Sequence, residues 1–267
     1  MYLADCHLHT HHSPDSEAAF DDIARAACAA GLSAVTVTDH VEMGAFIREG
    51  YVLSHPASLA ETAEAAERWR GRLTILRGVE LGEPLENLTE TGKLLDAPLD
   101  FVPASLHNLP GIDDFYFLNY GEWDIPRLLD QYFAQLLGMV HWGRFDSLAH
   151  LTYPFRYLPP QWREEGYGRW RECIDAVLSA LAEKGLALEI NVSGLRQEIG
   201  RTLPDLPIIR RFRELGGEWV TVGSDAHRPE DVGRHIQDGL ALAAEAGFRY
   251  YAVYENRTPQ AHSLKHI

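Results

Sequence analysis

The sequence predicts an α/β fold in which short parallel strands form a closed barrel. Seven apolar runs, rich in β-branched residues near their middles, are spread over the 267 residues, as expected of strands buried on both faces. Amphipathic stretches lie between these runs, and alternation of strand and helix implies a parallel sheet. Because the units follow one another without a visible domain break, we expect a single barrel domain over residues 1–267, with an open doubly wound sheet as the alternative.

The predicted strands are short, and most of them end in polar residues. In chain order they are YLADCHLHT (residues 2–10), AVTVTDH (34–40), LTILRGVE (73–80), DFVPASLHN (100–108), DSLAHLTY (146–153), ALEIN (187–191) and WVTVGSDAH (219–227). The run RYYAVYEN (249–256) is a candidate for an eighth strand.

Four of the intervening stretches carry apolar residues at helical spacing. Ser16 is the predicted N-cap of the first helix, and Gly31 ends it. Gly185 follows the third helix, and Pro229 opens the fourth. The apolar positions are Phe20, Ile23, Ala24 and Ala27 in the first helix, Ile125, Leu128, Leu129, Tyr132, Phe133, Leu136, Leu137 and Val140 in the second, Trp170, Ile174, Val177, Leu178 and Leu181 in the third, and Val232, Ile236 and Leu240 in the fourth.

Composition and charge argue against several functional classes. The formal net charge is −15 and the 24 basic residues form no run, so we expect no nucleic-acid partner. No apolar stretch approaches membrane-spanning length and the first residues do not resemble a secretory signal, so we expect no membrane partner and a cytoplasmic location. The three cysteines are widely separated, which indicates neither a disulfide framework nor a zinc-thiolate site.

Nearly every predicted strand ends in a residue type that can bind a metal ion. In parallel α/β folds the carboxyl ends of the strands open onto one face, so these side chains are expected to converge. A single such histidine is more often a packing or surface residue, but repetition at successive strand ends indicates a metal site. The candidates are His7 and His9, Asp39 and His40, Glu80, His107, His150, Asn191, and Asp225 and His227.

The donor types favour zinc, iron or manganese, because imidazole and carboxylate without cysteine suit these metals. One ion uses three or four protein ligands, whereas at least five histidines and three carboxylates are available. We therefore expect two or three divalent ions about 3.5–4 Å apart, with carboxylates such as Glu80 bridging them. Clustered ions polarise a phosphoryl group, and we expect a hydroxide that bridges two of them to attack phosphorus in line.

Residues close to these candidates have more than one interpretation. Asp39 and His40 are adjacent and point to opposite sides of a strand, and we favour His40 as the ligand. Asp5 shares a face with His7 and either orients it or is an ordinary buried acid. Cys6 lies on the opposite face, where a buried structural thiol is expected.

Substrate contacts are expected at the rim of the same face. His12 is a candidate contact, with a solvated loop histidine as the alternative. Ser105 shares a face with His107 and is a candidate to bond a phosphate. The segments DDFYF (113–117) and NYGEWD (119–124) follow the fourth strand and form either an aromatic wall for a substrate or an ordinary packed loop.

The sequence resembles the polymerase-and-histidinol-phosphatase (PHP) superfamily from residue 3 to about residue 230. In length and in its opening motif it is most similar to the stand-alone histidinol-phosphate phosphatases. This resemblance implies a distorted (β/α)7 TIM-like barrel with up to three metal ions at the C-terminal face of the strands. The motifs that carry it are HLHTHHSPDS (7–16), TDH (38–40), GVE (78–80), SLHN (105–108), AHLTY (149–153) and GSDAH (223–227).

The resemblance also assigns roles to individual residues. It implies that Arg156 and Arg196, just past the fifth and sixth strands, clamp the substrate phosphate. Asp15 takes the place of a histidine found in some relatives. We assign catalysis to Glu80, Asp225 and His227. The implied ligands are His7, His9, Glu80 and Asp225 for the first ion, Glu80, His107 and His150 for the second, and Asp15, His40 and His227 for the third.

Together these inferences predict a metal-dependent phosphomonoesterase whose substrate, by resemblance, is L-histidinol phosphate of histidine biosynthesis. No C-x5-R loop and no G-x-S-x-G motif occurs, so a cysteine or serine nucleophile is not expected. The alternatives are a PHP-type nucleotide phosphatase or exonuclease, an amidohydrolase-like enzyme, and a non-catalytic metal- or phosphate-binding regulator. The resemblance leaves a homo-oligomer open.

Overall fold

The computed structural model describes residues 2–45, 50–165 and 167–265. Within these ranges the strands are β1 (Ala4–Leu8), β2 (Ala34–Val37), β3 (His40–Glu42), β4 (Thr74–Arg77), β5 (Glu80–Gly82), β6 (Pro103–Ser105), β7 (Ser147–Leu148), β8 (Ala187–Asn191), β9 (Val220–Gly223), β10 (Tyr250–Glu255) and β11 (Thr258–Ser263). The helices are α1 (Phe20–Ala29), α2 (Tyr51–Trp69), α3 (Leu88–Leu95), α4 (Ile125–Trp142), α5 (Pro160–Glu165), α6 (Arg171–Lys184), α7 (Leu206–Glu214) and α8 (Ile236–Glu245). None of the helices within the described ranges is long and apolar enough to cross a bilayer.

The seven predicted strand runs pair in parallel, in two sheets. One sheet has the order β1-β2-β4, and the other has the order β3-β5-β6-β7-β8-β9. The sheets are continuous along the chain, because β2 runs into β3 and β4 runs into β5 with two residues between them. His40 pairs with Glu80 in the β3–β5 register, which brings two candidate ligands side by side.

The first and last parallel strands are hydrogen-bonded at their carboxyl ends. Asp225 N donates to His7 O at 2.7 Å, and His9 N donates to Ala226 O at 2.8 Å. Leu8 and Ala226 form the parallel bridge between these two bonds. This contact places the end of β1 beside the end of β9, although they are at opposite ends of the sequence.

The sheets are covered by helices whose apolar faces join one core. In α4 the predicted stripe is buried, apart from Leu137, which is half-buried. Trp170, at the start of α6, is fully buried and donates from Nε1 to Asp130 Oδ1 on α4 at 3.1 Å. The core therefore lies between the sheets and the helices, and the carboxyl ends of the strands are left to form a site.

Two local predictions were wrong, and a third was right about the strand but not about the sheet that it joins. Ser16 is not the N-cap of α1, which begins after Ala19, because its hydroxyl instead donates to His227 O at 2.9 Å. Pro229 begins a single 3-10 turn, and α8 starts at Ile236. The candidate eighth strand does not join the parallel sheets, because β10 pairs antiparallel with β11 as a separate hairpin.

Candidate active site

Histidines at the end of β1 meet carboxylates from β5 and from the loop after β9. The Nε2 atoms of His7 and His9 lie 3.2 Å apart. Glu80 Oε2 lies 3.2 Å from His7 Nε2 and 3.4 Å from His9 Nε2. Asp225 Oδ1 lies 3.3 Å from His9 Nε2 and 3.8 Å from His7 Nε2. The strand alternation that puts His7 and His9 on one face thus lets four side chains converge.

The other oxygen of Glu80 faces a second pair of histidines. Glu80 Oε1 lies 2.8 Å from His150 Nε2 and 3.2 Å from His107 Nε2. The two histidine nitrogens are 3.4 Å apart, and both rings are buried. One carboxylate therefore lies between two groups of donors that come from different strand ends.

A third group lies toward the solvent. Asp15 Oδ2 is 3.0 Å from His227 Nε2 and 3.7 Å from His40 Nε2. The His9 ring stacks between the other two, 4.2 Å from His40 and 4.1 Å from His227. The Asp15 side chain is 56% exposed, so this is the most accessible of the three groups.

Two of these residues have unusual backbone conformations. His150 has φ 21° and Asp225 has φ 54°, in a region that non-glycine residues rarely adopt. Such residues cost about 1–3 kcal/mol each and persist only where their surroundings hold them. The amide of His150 is held by Glu189 Oε2 at 2.8 Å, and that of Asp225 by His7 O at 2.7 Å. Strain at two candidate ligands is typical of a functional site.

Electrostatic coupling shifts the pKa values across the cluster. Burial opposes a charge on His7, but Glu189 and Glu80 outweigh it and raise the pKa of His7 well above its usual range. Burial and the neighbouring His227 lower the pKa of His9 to about 4. The pKa of Glu80 is held well below its usual range, because His7 and the other histidines outweigh its burial. Glu80 is thus ionised, as a metal ligand must be.

The donor atoms fit metal ions better than they fit a hydrogen-bond network. Imidazole nitrogens face each other in two pairs, and only one proton can lie between the members of a pair. Among the described residues, buried Glu80 Oε2 makes no well-aligned hydrogen bond, although imidazole nitrogens of His7 and His9 lie only 3.2 and 3.4 Å away. Ligand atoms around a tetrahedral zinc with bonds of 2.0–2.1 Å lie about 3.3 Å apart, close to the spacings found here.

Arg156 is a basic side chain that lies against this cluster. Its Nη2 is 3.9 Å from Asp225 Oδ2 and 3.4 Å from Ser193 Oγ. The guanidinium lies over the Tyr153 ring, 4.7 Å from the centroid, and its Nε has no hydrogen-bond partner within the part of the chain that is described. A buried guanidinium with a free N–H can accept an anionic ligand.

The other predicted substrate contacts differ in how many of their polar atoms already bond other protein groups. Arg196 donates from Nη2 to Ser224 O at 2.8 Å and forms a 3.2 Å ion pair with Asp231, while its Nη1 lacks a partner among residues in the described ranges. Ser105 Oγ is buried and likewise unpartnered over the described residues. His12 Nε2, in contrast, lies 2.9 Å from Glu61 Oε2, so this nitrogen is occupied by a side chain of α2.

Two acidic residues of the site were not predicted. Glu189 lies on β8, and its Oε1 accepts a hydrogen bond from His7 Nδ1 at 2.6 Å. Glu42 lies on β3, and its Oε1 accepts a hydrogen bond from His107 Nδ1 at 3.1 Å. The same oxygen is 3.0 Å from His40 Nδ1. Glu189 is a charged residue within an apolar strand run, a pattern that itself indicates a buried partner, whereas Glu42 lies beyond the predicted second run and gave no such signal.

Asp39 organises the loop that follows β1. Its carboxylate accepts from Thr10 N at 2.6 Å, from Ser13 Oγ at 2.9 Å and from Ser58 Oγ at 2.6 Å. Ser13 Oγ in turn lies 3.0 Å from His9 Nδ1. Asp39 therefore positions the loop, and it is His40 that faces the other histidines. Asp5 contacts the His7 amide and not its ring, and it accepts from Ser224 N at 2.8 Å.

The aromatic segments after β6 are divided between the core and the surface. Phe115 is fully buried against Tyr132, whereas Phe117 is 74% exposed. Tyr116 packs edge-on against Tyr157, with centroids 5.5 Å apart, and Tyr157 lies beside Arg156. An aromatic surface therefore continues outward from the guanidinium.

The fold and the site define this chain as a parallel α/β protein with a histidine- and carboxylate-lined centre at its strand ends. A PHP domain profile matches residues 5–193. The chain is 30% identical over 262 residues to the histidinol-phosphatase of Lactococcus lactis subsp. lactis, covering 95% of each protein. It is 28% identical over 249 residues to a probable histidinol-phosphatase of Clostridium acetobutylicum, covering 92% of this chain and 94% of the relative.

The chain therefore belongs to the PHP domain family, as its motifs predicted. Among solved structures it is similar to the Lactococcus lactis histidinol phosphate phosphatase in complex with zinc, L-histidinol and phosphate. The TM-score is 0.83 at 26% identity, over 97% of this chain and 98% of that one.

Proposed function

We propose that this protein is a metal-dependent phosphomonoesterase that hydrolyses L-histidinol phosphate. The observation that carries the proposal is the position of Glu80, whose two oxygens each face a separate group of histidines. Family membership and the curated names of the relatives support a histidinol-phosphatase in particular.

Two or three divalent ions are proposed to occupy the strand-end cluster. Zinc is supported by its presence in the similar Lactococcus lactis structure and by the donor types. When bound, such ions supply Lewis acidity to a phosphoryl group and to the attacking water. The residues that would hold them are His7, His9, Glu80 and Asp225 in the first group, Glu80, His107 and His150 in the second, and Asp15, His40 and His227 in the third.

Arg156 and Ser105 are proposed as the main side chains that bind the substrate phosphate. Both offer a buried donor that is unpartnered within the described ranges, and such donors gain most from an anionic acceptor. Arg196 is proposed as the second clamp, through its free Nη1. The other nitrogens of Arg196 already bond Ser224 O and Asp231, so the guanidinium has a fixed orientation. It therefore loses little conformational entropy when it binds phosphate.

The alcohol part of the substrate is proposed to lie along the aromatic surface beside Arg156. L-Histidinol carries an ammonium group and an imidazole ring. Tyr157 and Tyr116 offer ring faces and edges to both groups, next to the buried Tyr153. Asp114, which accepts from Tyr153 Oη at 2.9 Å, adds negative charge there. No continuous basic track is expected for a polynucleotide, given the net charge of −15.

We further propose that the two parallel sheets close into the distorted seven-stranded barrel of a single domain. The bonds between the ends of β1 and β9 support this closure. Closure would hold His7 and Asp225 at a fixed distance, as a centre assembled from several strands requires.

The proposal is tested by phosphate release from L-histidinol phosphate and p-nitrophenyl phosphate, alongside cleavage of a labelled single-stranded oligonucleotide. We expect kcat/KM for L-histidinol phosphate to exceed that for p-nitrophenyl phosphate by about a hundredfold, or about 2.7 kcal/mol of transition-state binding. The oligonucleotide should be negligibly cleaved. Glu80→Gln, which keeps the shape and removes the charge, should lower kcat by about 10³-fold or more.

A nucleotide or oligonucleotide as the best substrate would overturn the substrate assignment while leaving the metal-dependent hydrolase intact. Full turnover by Glu80→Gln would place the chemistry elsewhere.

A further inference from the structure

A second group of donors lies outside the strand-end cluster. His11 and His12, on the loop after β1, face Glu61 on α2. Glu61 Oε2 is 2.9 Å from His12 Nε2 and 3.3 Å from His11 Nε2. The donor atoms of all three residues lie within 4.8 Å of one another. Two imidazoles and one carboxylate form the ligand set of many zinc sites.

The positions of these atoms suit a shared cation, although the 2.9 Å His12 distance by itself also suits a hydrogen-bonded ion pair. Two Nε2 atoms converge on the same carboxylate oxygen. Ligand atoms around a tetrahedral zinc are about 3.3 Å apart, which agrees with the His11 distance and lies 0.4 Å above the His12 distance. The two imidazole rings lie 4.3 Å apart at 35°, so both nitrogens can reach one point.

The group is held in place before any ion binds. The Phe20 ring packs edge-on against both imidazoles, at 6.1 Å from His11 and 6.2 Å from His12. His12 N donates to Thr10 Oγ1, and Thr10 donates to Asp39.

Asp39 also accepts from Ser58 Oγ at 2.6 Å, and Ser58 lies three residues before Glu61 on α2. One carboxylate thus fixes both the loop that carries the histidines and the helix turn that carries Glu61. Because the donors are tied to one another through Asp39, a cation would find them preorganised.

We propose that His11, His12 and Glu61 form an accessory divalent-cation site of the zinc class, distinct from the strand-end cluster. The side chains are 40%, 14% and 34% exposed, so the site is open to solvent and leaves further coordination positions for water. With three protein ligands and partial exposure, it fills at higher free zinc than the buried cluster. The site does not depend on which reaction the buried cluster carries out.

The test is zinc stoichiometry, measured by equilibrium dialysis of the full-length protein against buffered free zinc and by elemental analysis of the dialysed protein. Wild type is expected to bind one equivalent more than Glu61→Gln at the same free zinc. Affinity for this last equivalent should fall at least about tenfold in the variant. The matched control is Glu64→Gln, on the same helix, whose side chain is 75% exposed and lies 3.9 Å from Arg68. It should bind as wild type does.

A second measurement uses cobalt(II) as the probe. The last equivalent should add visible ligand-field absorption in wild type and Glu64→Gln, but not in Glu61→Gln or His11→Gln. Equal zinc stoichiometry in wild type and Glu61→Gln would show that the three side chains form only a hydrogen-bonded ion pair. An equal loss in Glu64→Gln would assign the last equivalent to general surface charge, and it would overturn the proposal as well. Circular dichroism confirms that each variant is folded.

Discussion

Replacing Glu189 by glutamine tests whether this carboxylate orients His7. In the wild type each carboxylate oxygen accepts a different hydrogen bond. Oε1 accepts from His7 Nδ1 at 2.6 Å, and Oε2 accepts from the backbone amide of His150 at 2.8 Å. Glutamine keeps the shape but offers one acceptor oxygen, so its NH2 group must face one of these two donors. Glu189→Gln therefore leaves one buried donor unpaired, whichever way the amide turns.

The expected magnitude follows from these contacts. An unpaired buried donor costs about 1–3 kcal/mol. Loss of a carboxylate that orients a ligating histidine typically weakens metal affinity or activity by about 10–100-fold, equivalent to about 1.4–2.7 kcal/mol. The first cost falls on folding stability and the second on the metal site, so we expect Glu189→Gln to lower thermal stability, zinc affinity by about 10–100-fold and kcat/KM by a similar factor.

Zinc affinity is measured by competition with a chelator of known affinity, and turnover by phosphate release from L-histidinol phosphate. Glu198→Gln is the control, because the Glu198 side chain is 85% exposed and makes a surface ion pair with Arg163 at 3.2 Å. Such pairs contribute about 0–1 kcal/mol, so this variant should behave as wild type. Wild-type zinc affinity and turnover in Glu189→Gln would refute the reasoning, since His7 would then be positioned without its carboxylate.

Three further predictions concern the same face of the protein. Gently purified protein should contain at least two equivalents of zinc, iron or manganese by elemental analysis; one equivalent or fewer, with no activity gained on adding metal, would contradict a multinuclear centre. Arg156→Ala should lower kcat/KM by about 10–100-fold and weaken inhibition by free phosphate. The loss should be smaller in Arg196→Ala, because the Arg196 guanidinium is already ion-paired. Unchanged phosphate inhibition in both variants would place the phosphate clamp elsewhere. Gly223→Ala should cost about 1–3 kcal/mol of stability or more in thermal unfolding, because the added Cβ would lie 2.3 Å from His7 Cβ. Gly92→Ala, inside α3, is its control, since among the described residues nothing outside the local helix lies within 4 Å of the added atom and the change should be neutral or stabilising. A melting temperature of Gly223→Ala no lower than that of wild type would show that the close approach is easily relieved.

The convergence of the candidate ligands could be predicted because it depends on two simple periodicities. Alternation along a strand puts His7 and His9 on one face, and parallel pairing brings strand ends such as Glu80 and His107 together. Neither rule indicates which interior position of a strand reaches the site. Glu189 was therefore missed, although a lone acid in an apolar run already implied a buried partner.

Local signals failed where a tertiary bond competes with a local one. Ser16 has the residue type of an N-cap, but its hydroxyl bonds His227 O from the other end of the chain. Pro229 fits a first helical turn, but the chain turns once more before α8 begins at Ile236. The strand β10 was identified by its composition, whereas its antiparallel partner β11 carries mostly exposed residues and gave no apolar signal.

The bonds between the ends of β1 and β9 have a consequence for the order in which the site is completed. His7 precedes its neighbour Asp225 by more than two hundred residues, so it is synthesised well before Asp225. A nascent chain that has not yet reached β9 can form helices and most of its strand pairs, but it cannot complete the first donor group. Ions that bind this group would therefore bind a chain that includes β9 in preference to shorter, partly folded precursors. Their binding free energy adds to the stability of the whole fold and not to that of one segment.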